Sequence, residues 1–360
     1  FKQKTAYEIM PSLVGSEMCI RDRSNTRVLD QYGHLISYLR ISVTDRCNER
    51  CAYCMPSEFQ EWLPREKVMS YEEILRVVKL GAGLGVKKVR ITGGEPLTRR
   101  DIIPFIKSLS EISGIDDIGV STNGTLLSKP TDGFKSAAEA LFHAGVKTVN
   151  VSLDTLSEKQ YTAITGRPFL SKAIEGIDAS RRLGFDKVKI NSVLMRGRTE
   201  NELFDLLEFA KDRGLLLRFI EMMPVSTKDV LNDSNFLPCG EAIKILTEEY
   251  GKLNPLPDYK TNGPASYYSF QDRDQVIGFI GAMTNLNFCE SCNKLRLTCD
   301  GKLRPCLGSH LEFDLLKEIR RGATDENIEN FIREVVARKP KAHEFRENYQ
   351  PDRKMIAIGG

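Results

Sequence analysis

Short apolar runs alternate with segments of helical apolar spacing from Tyr38 onward. The runs rich in β-forming residues lie at residues 38–44, 87–92, 117–122, 147–153, 187–193 and 215–222. Between them, apolar residues recur at helical spacing over residues 70–83, 101–112, 134–145, 171–183 and 200–213. This regular alternation predicts a parallel sheet with helices packed outside it.

Local signals indicate where several of these helices begin and end. Ser70 is followed three residues later by Glu73, the spacing of a capping box at a helix start. Glycines stand where helices would stop, at Gly145, Gly184 and Gly214. The segments are therefore predicted as separate helices between consecutive strands.

Small and polar residues follow each predicted strand, in the stretches TDRC, TGGEP, STNG, SLD, INSV and EMMP. Polar groups from every strand end converge on one place only if the sheet curls, as at the carboxyl face of a β/α barrel. We therefore predict an α/β fold: a partial, open β/α barrel of six strand–helix units, in preference to a doubly wound sheet.

The chain is predicted to divide into a barrel (24–225), a C-terminal extension (226–346) and a tail (347–360). The extension begins with a polar linker, continues with a helix at about 239–250, and ends with a helix and a charged, mobile segment at 322–346. Residues 1–23 show no amphipathic period and look like translated sequencing-adapter sequence. We expect that segment to be an artefact and exclude it from fold reasoning.

Composition narrows the functional classes. The net charge is +3 with 28% charged residues, too little to indicate nucleic acid or a membrane surface. Nine cysteines are present, and seven of them fall in two tight groups. This usage favours metal ligation in a reducing compartment over a disulfide scaffold, so we expect the cytoplasm, or the mitochondrial matrix in a eukaryote.

The first cysteine group comprises Cys47, Cys51 and Cys54. A closed structural zinc site takes four ligands, and no fourth cysteine or histidine lies nearby. Three thiolates can instead hold three irons of a four-iron cluster and leave the fourth iron open. A zinc site that recruits a distant fourth ligand is the alternative.

The second group comprises Cys289, Cys292, Cys299 and Cys306, separated by two, six and six residues. From spacing alone, these four thiols suit a zinc ribbon about as well as an iron–sulfur cluster. The pattern therefore predicts a second metal centre without deciding its kind.

The spacing Cys-x3-Cys-x2-Cys after the first strand, followed by GGEP after the second, resembles the radical S-adenosylmethionine (SAM) superfamily. The resemblance implies a [4Fe–4S] cluster on Cys47, Cys51 and Cys54 whose open iron binds SAM. It further implies SAM contacts from Tyr53, Gly94, Ser152 and Met223. We also expect Gly93 and Gly94 to let the backbone approach a ligand and to offer it unblocked N–H groups.

From about Tyr38 to Gly360 the chain is similar to the GTP 3′,8-cyclase family, which opens molybdenum-cofactor biosynthesis. That resemblance implies a second [4Fe–4S] cluster on Cys289, Cys292 and Cys306 that contacts the guanine of GTP, with Cys299 a non-ligand. Where the family has Arg-Leu-Arg, this chain has Lys294-Leu295-Arg296. The implied GTP contacts are Arg40, Arg90, Thr122, Lys189, Lys294 and Arg296.

The resemblance also implies that the terminal Gly359 and Gly360 reach into the active site. Its implied partners are GTP as substrate, a downstream pyranopterin-forming enzyme, and an electron donor such as flavodoxin or ferredoxin. A homodimer fits the pattern, whereas nucleic acid and membrane are not expected. Two alternatives remain open: a radical SAM enzyme that modifies peptides, and a zinc-ribbon protein that binds nucleic acid.

Overall fold

The structure is a computed structural model, and it describes residues 27–55, 61–225, 231–232, 234–261, 263–347, 349–351 and 353–359. The segment predicted as adapter-derived and the terminal Gly360 lie outside the described residues, as do residues 226–230 of the predicted linker.

One sheet of twelve strands forms the frame of the described molecule. Its strands are β1 (Tyr38–Ser42), β2 (Lys88–Thr92), β3 (Asp117–Thr122), β4 (Thr148–Ser152), β5 (Lys187–Leu194), β6 (Leu216–Glu221), β7 (Leu253–Pro255), β8 (Ser266–Phe270), β9 (Val276–Ile280), β10 (Lys294–Leu297), β11 (Lys302–Arg304) and β12 (Phe313–Asp314). Their order across the sheet is β12-β11-β10-β1-β2-β3-β4-β5-β6-β9-β8-β7.

The helices are α1 (Tyr71–Gly83), α2 (Ile102–Ser110), α3 (Ala137–His143), α4 (Glu158–Thr165), α5 (Leu170–Arg181), α6 (Leu203–Asp212), α7 (Cys239–Tyr250), α8 (Leu315–Arg320), α9 (Asp325–Ala337) and α10 (Met355–Ile358). None of those formed by the described residues is both long and apolar enough to cross a membrane.

The predicted alternation is confirmed over β1 to β6, and the strand boundaries differ by at most two residues. The five helices predicted between these strands correspond to α1, α2, α3, α5 and α6, and the helix predicted at about 239–250 corresponds to α7. Helix α4 was not predicted. It has a weak apolar pattern, and its start is marked mainly by the hydroxyl of Ser157, which accepts from Gln160 N at 3.4 Å.

The C-terminal third adds strands to both edges of the barrel sheet. Strand β10 pairs in parallel with β1, and β9 pairs in parallel with β6, so eight strands run parallel where six were predicted. Strands β11 and β12 continue one edge in antiparallel fashion, and β8 and β7 continue the other. The described part of the C-terminal third therefore contributes six strands, β7 to β12, to the same sheet.

The expectation of a mobile segment near the end of residues 322–346 is wrong for its described residues. After α9, the chain turns inward and buries Lys339, His343 and Phe345. His343 Nε2 lies 2.8 Å from the Ala282 carbonyl oxygen, which fixes the segment against the loop after β9.

The hydrophobic core lies between the sheet and the outer helices. Helix α1 buries one face, including Ile74, Val77 and Val78, because these residues recur at helical spacing. The central strands are buried on both faces, as is usual for parallel sheets. The unusual feature is that the inner face carries charged side chains.

The predicted capping box at α1 is present and generates a stability prediction. Ser70 Oγ accepts from Glu73 N at 3.2 Å, and Glu73 Oε2 accepts from Ser70 N at 2.7 Å. We expect Ser70→Ala to destabilise the first turn of α1 by about 1 kcal/mol, seen as faster amide hydrogen exchange there. Ser108→Ala in α2 is the control, because that hydroxyl bonds back to Pro104 and caps nothing. Equal loss of protection in both variants would contradict the prediction.

Candidate active site inside the barrel

Three arginines stand in one row across the inner face of the sheet. Arg40 of β1 is in register with Arg296 of β10 on one side and with Arg90 of β2 on the other. Residues paired across neighbouring strands share a face of the sheet, so the three side chains enter the same space. They line one cavity of about 350 Å³ within the barrel.

The guanidinium of Arg90 is held by neutral groups. Its Nε donates to the hydroxyl of Tyr38 at 3.0 Å, its Nη2 to Thr148 Oγ1 at 2.9 Å, and its Nη1 to the carbonyls of Val120 and Thr148 at 3.2 Å. The next residue in register is Gly119, where a Cβ would lie 2.2 Å from Arg90 Nη1. Glycine is therefore required at position 119, because the Arg90 side chain extends over this residue toward β4.

Arg218 of β6 is a site residue that the sequence interpretation missed. It is 4% exposed, lines the same cavity, and donates through Nε and Nη2 to Asn191 Oδ1 at 2.9 and 2.6 Å. Gly278 makes room beside it, since a Cβ there would lie 2.9 Å from Arg218 Cγ. Its sequence signal was an arginine inside a predicted strand, a position that Arg40 and Arg90 also occupy.

The cavity lining is strongly positive. Among the described lining residues are two carboxylates, Glu49 and Glu221, and six cations: Arg40, Arg90, Lys189, Arg218, Lys294 and Arg296. Both carboxylates are engaged elsewhere. Glu49 Oε1 accepts from the hydroxyl of Tyr161 at 2.5 Å, and Glu221 accepts from the backbone N–H groups of Cys239 and Met283.

Crowding of like charges and burial shift the pKa values of several of these groups. Burial lowers the pKa of Lys189 to about 7, assisted by the charges of Arg218 and Arg90. Burial also lowers the pKa of Arg296 to about 9, with Arg40 adding to the effect. Although burial opposes it, the charges of Arg90 and Arg40 lower the pKa of the Tyr38 phenol to about 8. An anionic ligand would relieve this repulsion.

The first cysteine triplet lies in the loop after β1, and Cys47, Cys51 and Cys54 all line the cavity. Burial raises the pKa of the Cys47 thiol to about 12, with the nearby Glu95 contributing, and it raises the pKa values of the Cys51 and Cys54 thiols as well. Buried thiols of this kind ionise when metal supplies the compensating positive charge.

The donor set fits an iron–sulfur cluster better than a single ion. A tetrahedral zinc ion draws its sulfur ligands closely around itself, whereas a cubane spreads them over separate iron corners. Three thiols of one short loop that all border one cavity suit the second arrangement.

The second triplet borders the same cavity from another direction. Cys289, Cys292 and Cys306 line it. The carbonyl of Asn293, directly after Cys292, accepts from Ser37 N and Tyr38 N at 3.2 Å, at the amino end of β1. The first triplet follows the carboxyl end of the same strand, so the length of β1, roughly 16 Å for five residues, lies between them.

Cys299 is placed apart from the other three thiols of its group. It is fully buried, does not border the cavity, and its N–H points to the carbonyl of Ala357 at 3.4 Å. Burial raises the pKa of its thiol to about 12. The structure therefore groups Cys306, and not Cys299, with Cys289 and Cys292.

The expected free N–H group at Gly94 is a wrong prediction. Gly94 N donates to the Thr44 carbonyl at 2.7 Å, and a Cβ on Gly94 would lie 2.3 Å from the Arg46 carbonyl oxygen. The glycine is required because the GGEP loop packs directly on the cysteine loop. Gly94 nevertheless lines the cavity, so its contact with SAM stays a prediction.

Thr122 joins the ends of β2 and β3. Its hydroxyl donates to Glu95 Oε1 at 2.8 Å and accepts from Gly124 N at 3.0 Å. Glu95 also accepts from Asn123 N at 2.8 Å, and burial raises its pKa to about 7. Thr122 lines the cavity with its hydroxyl already bonded, and its contact with a nucleotide stays a prediction.

The other predicted SAM contacts also border the cavity: Tyr53, Ser152 and Met223. Tyr53 is oriented by its hydroxyl, which donates to Asp154 Oδ2 at 2.7 Å. Asp154 in turn accepts from Val193 N at 2.8 Å, and burial raises its pKa to about 6. Sequence reasoning missed Asp154 as the residue that positions Tyr53.

The C-terminal tail reaches the row of arginines. Arg296 Nη1 donates to the Gly359 carbonyl at 2.6 Å, and Met355 and Ile356 of α10 line the cavity. Arg353 anchors the segment through Asp300 at 2.7 Å and Glu312 at 2.9 Å. Gly359 thus lies beside the site, while Gly360 is outside the described residues.

Comparison with solved structures gives the class of fold. SuiB of Streptococcus suis, bound to S-adenosylmethionine, aligns at a TM-score of 0.58 with 16% identity, covering 89% of this chain and 77% of that one. A second structure, native anSMEcpe with bound AdoMet, aligns at 0.55 with 17% identity over 86% and 82% of the two chains. At these identities the likeness concerns the fold alone.

The sequence matches two known families in succession. Residues 41–210 match the Radical SAM superfamily, and residues 215–345 match Molybdenum Cofactor Synthesis C. The fold and the cysteine loop thus define the class of radical SAM proteins, which implies SAM and a [4Fe–4S] cluster.

Full-length relatives identify the particular family. The GTP 3′,8-cyclase of Pelotomaculum thermopropionicum is 43% identical over 92% of this chain and 99% of that protein. That of Thermodesulfovibrio yellowstonii is also 43% identical, with the same coverage of both chains. The chain belongs to the GTP 3′,8-cyclase family. This finding favours the main sequence interpretation over the peptide-modifying and zinc-ribbon alternatives.

The docked tail generates a prediction at Gly359. Its φ is +87°, and a Cβ would lie 2.7 Å from Thr92 Cγ2 and 3.1 Å from Ser42 Cβ. We expect Gly359→Ala to weaken docking by about 1–3 kcal/mol, measured as faster hydrogen exchange across α10. Gly322→Ala is the matched control, since Gly322 has the same φ but no atom within 4 Å of the place a Cβ would take. Unchanged exchange in α10 of Gly359→Ala would refute the docking of the tail.

Proposed function

We propose that this protein converts GTP to (8S)-3′,8-cyclo-7,8-dihydro-GTP, the first step of molybdenum-cofactor biosynthesis. One observation carries the proposal: two cysteine triplets and six cations border the same cavity. An anionic substrate and two metal clusters can then meet in one enclosed space. The named activity of the full-length relatives supports the same reaction.

In this proposal Cys47, Cys51 and Cys54 hold the first cluster, with SAM bound beside it. When bound, the two supply the one-electron chemistry that removes a hydrogen from the ribose of GTP. Tyr53, held by Asp154, would fix one side of the SAM site. The other predicted contacts are Gly94, Ser152 and Met223.

The cations position the triphosphate and the ribose. Arg40, Arg90 and Lys189 lie on strands, whose backbone is fixed by the sheet, so their charges have little freedom to reorient. Arg218 adds a further charge from β6, and its hydrogen bonds to Asn191 fix its direction. Holding the ribose and guanine in one geometry is the chain's main contribution to a reaction that joins C3′ to C8.

We assign the second cluster to Cys289, Cys292 and Cys306, which would hold it where it could bind the guanine of GTP. Lys294 and Arg296 follow Cys292 closely on β10, so Lys294 stands between Cys292 and Arg296, the member of the arginine row on that strand. The enzyme also needs an electron donor, which we take to be flavodoxin or ferredoxin. A pyranopterin-forming enzyme would consume the product, and a homodimer is one assembly compatible with the proposal.

Replacement of one thiol tests the assignment of the second cluster. Anaerobic Cys306→Ala protein, supplied with SAM, a reductant and GTP, should bind about four irons instead of about eight. Product formation should fall about 100-fold or more, while SAM cleavage at the first site persists. The assay follows iron, 5′-deoxyadenosine and cyclised product.

Cys299→Ala is the control for this experiment, because Cys299 is a buried thiol of the same group that does not border the cavity. It should retain about eight irons and turnover. Stoichiometric zinc without iron in the wild-type protein, or 5′-deoxyadenosine formation indifferent to the nucleotide supplied, would overturn the proposed function.

Lys189 gives GTP binding a dependence on pH. Its pKa of about 7 in the free protein means that above pH 7 it is largely neutral, and binding of an anionic triphosphate must then restore its proton. We expect proton uptake on GTP binding at pH 8, measured by calorimetry in buffers of different ionisation enthalpy. Lys189→Met should remove the Lys189 share of that uptake, leaving the share of the Tyr38 phenol, and weaken binding about tenfold.

Lys187→Met is the matched control, since Lys187 lies on the same strand with its side chain exposed. The Lys187→Met variant should take up as many protons on GTP binding as the wild-type protein does. Equal uptake by Lys189→Met and the wild-type protein would exclude Lys189 as the titrating group.

A further inference from the structure

Lys339 is a buried lysine behind the second cysteine triplet. It follows the C-cap residue of α9 and is 4% exposed. Among the described residues no carboxylate forms an ion pair with it. A buried ammonium group without a counter-charge is costly, so its retention in the interior calls for a compensating anion.

The ammonium group of Lys339 joins the two segments that carry the thiols. Its Nζ donates to the carbonyl of Lys294 at 3.0 Å and to the carbonyl of Pro305 at 2.5 Å. Lys294 stands two residues after Cys292, and Pro305 directly precedes Cys306. One side chain therefore links the start of β10 to the loop after β11.

The backbone around Lys339 is itself anchored. Lys339 N donates to the Val336 carbonyl at 3.0 Å, and Gln31 Nε2 donates to the Lys339 carbonyl at 2.9 Å. Since both backbone groups of the residue are hydrogen-bonded, the side chain starts from a fixed position. Its charge acts on all three thiols of the triplet, Cys289, Cys292 and Cys306.

The two triplets have opposite electrostatic surroundings. Carboxylates act on the first: Glu95 and Glu49 on Cys47, and Glu49 and Asp154 on Cys51. Cations act on the second, chiefly Lys339, with Lys294 beside Cys292. A cluster at the second site would therefore lie in a more positive field than one at the first.

We propose that Lys339 is a positioning residue for the second cluster: it holds the two ligand-bearing segments together and places a positive charge against the cluster. A cluster bound by three thiolates is anionic and becomes more so on reduction, so it supplies the counter-charge that Lys339 lacks. The same charge stabilises the reduced form and raises the reduction potential. This inference rests on the proposed second cluster.

The test isolates that cluster in the full-length chain. A background variant with Cys47, Cys51 and Cys54 all replaced by alanine retains only the second triplet. Lys339→Met and Lys339→Gln are then compared in this background with Lys341→Met, an exposed lysine two residues away. Iron content, the electron paramagnetic resonance signal of the reduced cluster, and its potential in a redox titration are measured.

If Lys339 acts as proposed, both neutral variants keep about four irons with a potential shifted to lower values, whereas Lys341→Met leaves the potential unchanged. Loss of iron in both neutral variants, with unaltered thermal stability of the iron-free protein, also supports the holding role. Retained iron with an unshifted potential would overturn the inference. A lower thermal stability of the iron-free protein in both neutral variants would also overturn it, because Lys339 would then stabilise the fold whether or not the cluster is bound.

The same experiment also tests whether Cys289, Cys292 and Cys306 hold a cluster at all. If the background variant with Lys339 intact binds no iron, the second cluster itself is absent, and the proposed function falls before Lys339 is tested.

Discussion

The constraint on which the site depends is the enclosure of six cations inside a barrel with few available carboxylates. Arg90 is stabilised by a phenol, a hydroxyl and two carbonyls, and Arg218 by the side-chain oxygen of Asn191. Neutral acceptors satisfy the hydrogen-bond donors but leave the charge in place. The cavity therefore retains a positive potential that an anionic ligand can neutralise. Internal salt bridges would have removed that potential.

That arrangement requires space as well as hydrogen bonds. Gly119 and Gly278 stand on the strands beside Arg90 and Arg218, where any larger residue would collide with the arginine side chain. The cations must also face the same space. The register of the parallel strands achieves this, because it sets Arg40, Arg90 and Arg296 in one row. The third member of the row comes from β10, so the barrel needs its C-terminal strand to complete the cationic surface.

The barrel strands and most outer helices could be predicted because their signals are local: apolar period, caps and glycine stops. Strands β9 and β10 could not, since VIGFI and KLRL are short and gain their parallel partners only from distant sequence. The cysteine triplets and most cations were found from spacing and resemblance. Arg218 carried a usable signal. Lys339 did not, because its importance depends on carbonyls 45 and 34 residues earlier in the chain.

The lysine at position 294, where the family pattern has arginine, can be understood from its surroundings. Its Nζ lies 3.4 Å from Asn293 Oδ1 and 5.8 Å from the centre of the Tyr38 ring, contacts that suit a compact charge as well as a planar one. Its carbonyl is the acceptor for Lys339. Position 294 therefore contributes a backbone contact independent of the side chain, together with a charge beside the second triplet. The second arginine of the pattern is retained as Arg296, whose Nη1 donates to the carbonyl of Gly359 in the tail.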